Sequence, residues 1–214
     1  MPRLLPLLAA GLVTGPFALL PAGPLRAQEN PSAFPGRRVG GGSRGECTSR
    51  LVAHLVPARS VYAPGATPTL GVLEGPTARP RPLVVSFRPP RVGAAVSRPP
   101  APARRTLPPA PAGITLFSIP PLQASTVWES AYQCEPEGRG GSANPLDFVS
   151  AVAPPATTLL VKDGIAPDPK VQAGLRELRR SCGSQVATAQ VAATFDLGDL
   201  ISAEWPARLP VRCL

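Results

Sequence analysis

Thr126-Val127-Trp128-Glu129-Ser130-Ala131-Tyr132-Gln133-Cys134 is the stretch that decides the fold. Extended, it places Val127, Glu129, Ala131 and Gln133 on one face and Trp128, Ser130, Tyr132 and Cys134 on the other. A period of two with aromatic and β-branched side chains predicts a strand. Working outward, Ile114–Ile119 alternates apolar residues with Thr115 and Ser118 and stops at Pro120-Pro121. Leu83–Phe87 is a compact apolar run, Thr69–Leu73 lies between Pro68 and Gly75-Pro76, and Arg50–Val56 ends at Pro57. Downstream, Leu146–Val152 stops before Pro154-Pro155, and Thr157–Val161 follows.

Short strands at such spacing, separated by turn signals, predict a mainly β fold: an antiparallel β-sandwich, immunoglobulin-like or similar. The gaps leave no room for the crossover helices of a parallel sheet. Thirty-one prolines and 20 glycines among 214 residues exclude long helices over most of the chain. Aromatic residues are only 5%, so Val, Leu, Ala and Ile must build the core. The C-terminal part changes character. Asp168-Pro169 supplies an N-cap and an N1 proline, and Val171, Leu175 and Leu178 form an apolar stripe at helical spacing. Arg176, Arg179 and Arg180 lie off that stripe, toward the C-terminal end of the dipole, and Gly183 ends the helix. Asp199–Trp205 predicts a second, weaker helix, and Val186–Phe195 fits helix or strand.

The N-terminus reads as a secretory signal. Met1-Pro2-Arg3 is followed by the uncharged, apolar Leu4–Leu20, broken by Pro6, Gly11, Gly15 and Pro16. It is short for a spanning helix, and small Ala27 marks the expected cleavage point. Loss of Arg3 and Arg26 with the signal takes the formal charge from +9 to +7. The expected location is periplasmic or extracellular, with no transmembrane segment in the mature chain. The expected organisation is signal peptide 1–27, flexible Gly/Arg-rich lead-in 28–46, sandwich 47–162 with a Pro/Arg-rich insertion 88–112, and a helical, disulfide-closed extension 163–214.

Four cysteines remain: Cys47, Cys134, Cys182 and Cys213. An even count in an exported chain implies two disulfides. Of three possible pairings, Cys47 with Cys134 and Cys182 with Cys213 is favoured, because each bridge then closes one region. No C-x-x-C spacing exists and His54 is the single histidine, so no metal site is expected. Gly40, Gly42 and Gly45 match G-x-G-x-x-G formally, but outside a βαβ unit that pattern does not indicate a dinucleotide, and no cofactor is expected. The same run reads either as a turn packed beside the sheet or as a backbone nest for an anion, flanked by Arg37, Arg38 and Arg44. Arg88–Ala112 carries Arg88, Arg91, Arg98, Arg104 and Arg105 among eight prolines and no acid. It predicts extended, polyproline-like chain or a loop. Arg37, Arg38, Arg44, Arg104 and Arg105 are the candidate anion-binding residues.

The segment Gly36-Arg37-Arg38-Val39-Gly40-Gly41-Gly42-Ser43-Arg44-Gly45-Glu46-Cys47, with Leu51–Pro57 after it, resembles the opening of the bacterial exported family catalogued as domain of unknown function 928. Gly113–Pro120 resembles that family's central strand. Trp128–Cys134, Pro136 and Asp147-Phe148-Val149 resemble its Trp-to-Cys strand and the strand after it. The resemblance covers residues 36–153 and implies export and β architecture, with no activity attached. Leu70-Gly71-Val72 departs from the family's aromatic strand after a Pro-Thr pair, and the Pro/Arg stretch stands in place of a strand pair.

No catalytic residues are assigned. A Ser-His-Asp site would have to use His54, which sits mid-strand with no nucleophile elbow nearby. Carboxylate pairs among Glu129, Glu135, Glu137 and Asp147 are no more than any chain of this size offers. The function expected is a non-catalytic binding or structural domain of the cell envelope. Its expected partner is an envelope component such as an anionic polymer. Nucleic acid is not expected, given the location and the scarcity of stacking aromatics. The alternatives are a polyanion-binding module built on the arginine-rich segments, and a hydrolase using His54 or Glu129.

Overall fold

The computed structural model describes residues 34–41, 50–65, 68–90, 103–133 and 154–214. Along the chain run β1 (Val39–Gly40), β2 (Val52–His54), β3 (Val61–Tyr62), β4 (Thr69–Glu74), β5 (Leu83–Arg88), β6 (Ala103–Leu107), β7 (Gly113–Ser118), β8 (Thr126–Tyr132) and β9 (Ala156–Leu160). Helix α1 (Pro169–Arg180), β10 (Gln185–Ala187), helix α2 (Thr188–Phe195) and β11 (Arg208–Cys213) follow. The strands make two open sheets, one ordered β1-β2-β4-β7-β11-β10 and the other β3-β9-β8-β5-β6. This is the expected mainly β sandwich with a short helical C-terminal region.

The deciding strand behaves as its alternation predicts. In β8, Trp128, Ser130 and Tyr132 turn inward toward the six-stranded sheet, and Phe117 of β7 meets the Trp128 ring edge-on with centroids 5.9 Å apart. The opposite face of the six-stranded sheet is covered by α1. Gly71 of β4 leaves the space into which Leu175 packs, since a Cβ there would stand 3.1 Å from the Leu175 Cδ2. Helices, six-stranded sheet and five-stranded sheet thus form three layers. A separate cluster of Val61, Ala63, Val127, Leu159 and Val161 lies on the other face of the five-stranded sheet, with Phe34 and Ile165 against it.

Helix α1 forms as its sequence dictates. The Asp168 carboxylate accepts from the Val171 N–H at 3.0 Å, Pro169 opens the first turn, and Val171, Leu175 and Leu178 are buried. The second helix is not where expected. Asp199–Trp205 holds only a 3₁₀ turn, Gly198–Leu200, while the ambiguous run divides into β10 and α2. Asp196 closes α2 in the left-handed region (φ 52°).

Most strand pairs are antiparallel, but β11 runs parallel to β7, and β3 parallel to β9. The expectation that parallel pairing had no room overlooked connections that include entire elements: both helices lie between β7 and β11. The C-terminal region is accordingly part of the sandwich, because β11 sits inside the six-stranded sheet. Part of the Pro/Arg stretch is also regular. Ala103–Leu107, free of proline between Pro102 and Pro108, pairs with β5 over five residues as an edge strand. The lead-in contributes β1, and Gly41 donates to the Pro154 carbonyl at 3.1 Å, which fits a turn packed beside the sheet. The predicted strand Leu146–Val152 lies outside the described residues.

Candidate functional site

The polar residues best suited to chemistry lie between the sheets. His54 is wholly buried, its ring stacked on Trp128 with centroids 3.5 Å apart and planes 8° from parallel. His54 Nδ1 lies 2.7 Å from the Thr158 hydroxyl and Nε2 lies 2.9 Å from that of Ser130. Neutral imidazole has one donor and one acceptor, and a hydroxyl can answer either, so both nitrogens are satisfied. Burial holds the His54 pKa well below its usual value, because a charged ring there would have no water around it. The His54 ring thus points between the sheets, where both nitrogens are satisfied, and does not face outward.

A second buried group centres on Glu74. Arg50 Nη1 stands 3.4 Å from Glu74 Oε1, and Arg212 Nη2 stands 3.6 Å from Oε2. Arg50 also donates to the carbonyls of Gly75 (3.0 Å) and Ala110 (2.7 Å) and lies over the Tyr132 ring at 4.6 Å. Desolvation raises the Glu74 pKa against the pull of both guanidiniums. These contacts bind β4, β11 and the start of β2 to β8 of the facing sheet.

The candidate anion-binding arginines are not brought together. Arg38 is 8% exposed, and its guanidinium donates to the carbonyls of Val56 (2.7 Å), Phe195 (2.7 Å) and Asp196 (2.6 Å). It thereby closes the C-terminal end of α2, where backbone carbonyls lack partners. Arg37 is exposed, beside β9 through the bond from the Thr157 N–H to its carbonyl. Arg104 and Arg105 are exposed on β6, separated from β9 by β5 and β8, or roughly 14 Å of strand spacing. Arg105 lies 5.7 Å from the Phe117 ring centroid. Arg44 lies outside the described residues, as do Cys47 and Cys134. Cys182 and Cys213 form the expected disulfide. Glu129 pairs with Arg88 at 2.6 Å.

An exposed concave surface lined by polar and apolar groups lies elsewhere, along α1. A cleft of about 500 Å³ opens between α1 and the ends of β4 and β7. Pro68, Ile119 and Leu175 give it apolar walls. Thr69, Ser118 and Gln172 line it with polar groups, and Arg176 and Arg179 supply charge. Arg179 is fixed by donating to the hydroxyls of Thr69 (2.9 Å) and Ser118 (3.3 Å). Gln172 is held by the Tyr62 hydroxyl at 2.9 Å. Arg176 makes no hydrogen bond or ion pair among the described residues, so its charge is available to a ligand. In the sequence, Arg176 and Arg179 stand out only as complements to the helix dipole. Helical spacing also puts Gln172, Arg176 and Arg179 on one stripe, but Thr69 and Ser118 are some fifty residues or more from α1 and carry no local signal.

No family model, curated protein or solved structure matches this chain. Among the described residues, no helix is long and apolar enough to cross a membrane.

Proposed function

We propose that this chain is an exported, non-catalytic domain of the cell envelope that binds an anionic partner in the cleft under α1. The carrying observation is the division of polar groups. The Ser130–His54–Thr158 set is sealed behind Trp128 with every ring nitrogen occupied, whereas Arg176, with no hydrogen bond or ion pair among the described residues, lines an open cleft. A general base must reach the proton it removes, and among the described residues His54 bonds to its two hydroxyls and stacks on the Trp128 ring. The apolar start, the even cysteine count and the Cys182–Cys213 bond support export. The resemblance to the exported family of unknown function agrees with it.

The partner we expect is an acidic polymer, with β6 arginines as a secondary attraction. The test uses immobilised mature chain, detergent-solubilised envelope and a salt gradient, with uronate and phosphate analysis of each fraction. Anionic polymer should be retained and released at moderate salt, and R176E should abolish retention, because exposed charges act through a screened field. Retention unchanged by R176E, or no retained anion, overturns the proposal.

A further inference from the structure

Arg176 belongs to two clefts. Beyond the one facing β4 and β7, a more open cleft of about 470 Å³ lies on the α2 side of α1, between Lys170, Glu177 and Arg180 and the α2 residue Thr194. Arg176 lines both. The helical repeat explains this sharing: Gln172 and Arg179 fall on one stripe, Lys170, Ala173 and Glu177 on the next, and Arg176 at their boundary. In the second cleft the charges are already balanced. Lys170 meets Asp196 at 2.7 Å, and Arg180 meets Glu177 at 2.9 Å.

From this arrangement we infer that the two clefts are adjacent subsites for one linear acidic polysaccharide, with a carboxylate on Arg176 and uncharged sugars to either side. This rests on the proposed function and names its ligand. A carboxylate suits a lone guanidinium, which can bind it through two parallel hydrogen bonds. Hydroxyl-rich sugars suit the flanks, where Thr69, Ser118 and Gln172 on one side and Thr194 and Glu177 on the other provide donors and acceptors. A strand charged at every unit would meet Glu177 in the second cleft, where Lys170 and Arg180 are already paired, so the anionic groups must be spaced. Nucleic acid fits less well, because neither cleft is lined by an aromatic side chain on which bases could stack.

The probes are hyaluronan di-, tetra- and octasaccharides, which alternate uronate with a neutral sugar, and hexathymidylate, each titrated calorimetrically into the mature chain at low salt. Ala173→Glu places a carboxylate in the second cleft at an exposed position. Linking two subsites multiplies affinity, so the octasaccharide should bind about a hundredfold tighter than the disaccharide. A173E should weaken the octasaccharide more than the disaccharide, because its carboxylate fills the second cleft and also stands three residues from Arg176 on the helix, while R176E should weaken both. Circular dichroism checks that each variant is folded. Equal affinity at all lengths, or no effect of A173E on the octasaccharide, overturns the two-subsite inference. Hexathymidylate binding more tightly than the octasaccharide overturns the glycan assignment. If no hyaluronan binds yet the envelope column retains polymer through Arg176, this inference fails alone; if R176E also leaves that column unchanged, both fail.

Discussion

At His54 the physics of a single side chain sets a pH limit on the whole protein. The buried ring stays neutral while the unfolded chain's histidine takes up a proton below its ordinary pKa of about 6.5. The unfolded state then binds one more proton, so stability falls as pH drops below about 6.5, by up to about 1.4 kcal/mol per pH unit. Glu74 works in the opposite sense. Its raised pKa means that the folded state binds its proton first as pH falls. The two contributions separate by observing the ring itself, since His54 is the single histidine. Its ring NMR signals should show no titration midpoint at the ordinary histidine value while the protein stays folded. A titration midpoint near the ordinary value would show that the ring meets water. The sequence could not decide which way His54 points, because Val52, Ala53 and His54 are all buried and a sheet covered on both faces shows no alternation. Arg38 was equally opaque. It reads as a surface cation, yet its carbonyl partners at Phe195 and Asp196 lie more than 150 residues away.

Among the elements, legibility follows how local the determining forces are. Helix α1 was readable from its cap, its N1 proline and its apolar stripe, all within a dozen residues. The strands β8, β7, β5 and β4 were readable from short apolar runs bounded by proline or glycine. β11 was not, since Pro210 lies within it and proline argues against a strand, and β6 was hidden in a proline-rich stretch. The contact between α1 and α2 was likewise invisible, and it depends on Gly174. A Cβ there would stand 2.5 Å from the Thr194 Cγ2 and 2.8 Å from the Phe195 Cζ. Gly174→Ala gains about 1 kcal/mol in helix propensity but overpacks the contact, at about 1–3 kcal/mol. We expect net destabilisation and a melting temperature lower by several degrees, with partial recovery when Thr194→Ala removes the methyl group in the way. A raised melting temperature in G174A would mean that the helices have room to spare.

Across the whole molecule, the Cys182–Cys213 bond, expected to close the C-terminal extension on itself, ties the end of α1 to the six-stranded sheet. Cys182 follows the last turn of α1, and Cys213 ends β11 within the six-stranded sheet. The bridge closes a loop with a sequence separation of 31, which contains β10 and α2. Constraining a loop of that size in the unfolded chain stabilises the fold by roughly 3–4 kcal/mol. Neighbouring backbone bonds act at the same seam, Gly183 N–H to the Val211 carbonyl at 2.8 Å and Leu214 N–H to that of Leu116 at 2.9 Å. Both cysteines are exposed, so their protection from labelling must come from the bond and not from burial. If residues 1–27 direct export as proposed, alkylation of the secreted protein without reduction should leave Cys182 and Cys213 unlabelled, and the C182S/C213S variant should unfold in urea with a free energy lower by that amount. Only Ser181 separates Arg179 and Arg180 from Cys182, so the same variant should also loosen the end of α1 and weaken the proposed anion binding before it unfolds the sandwich. Full labelling of both thiols in exported protein would remove the structural support for export. Loss of stability with binding unchanged would place the ligand away from the last turn of α1.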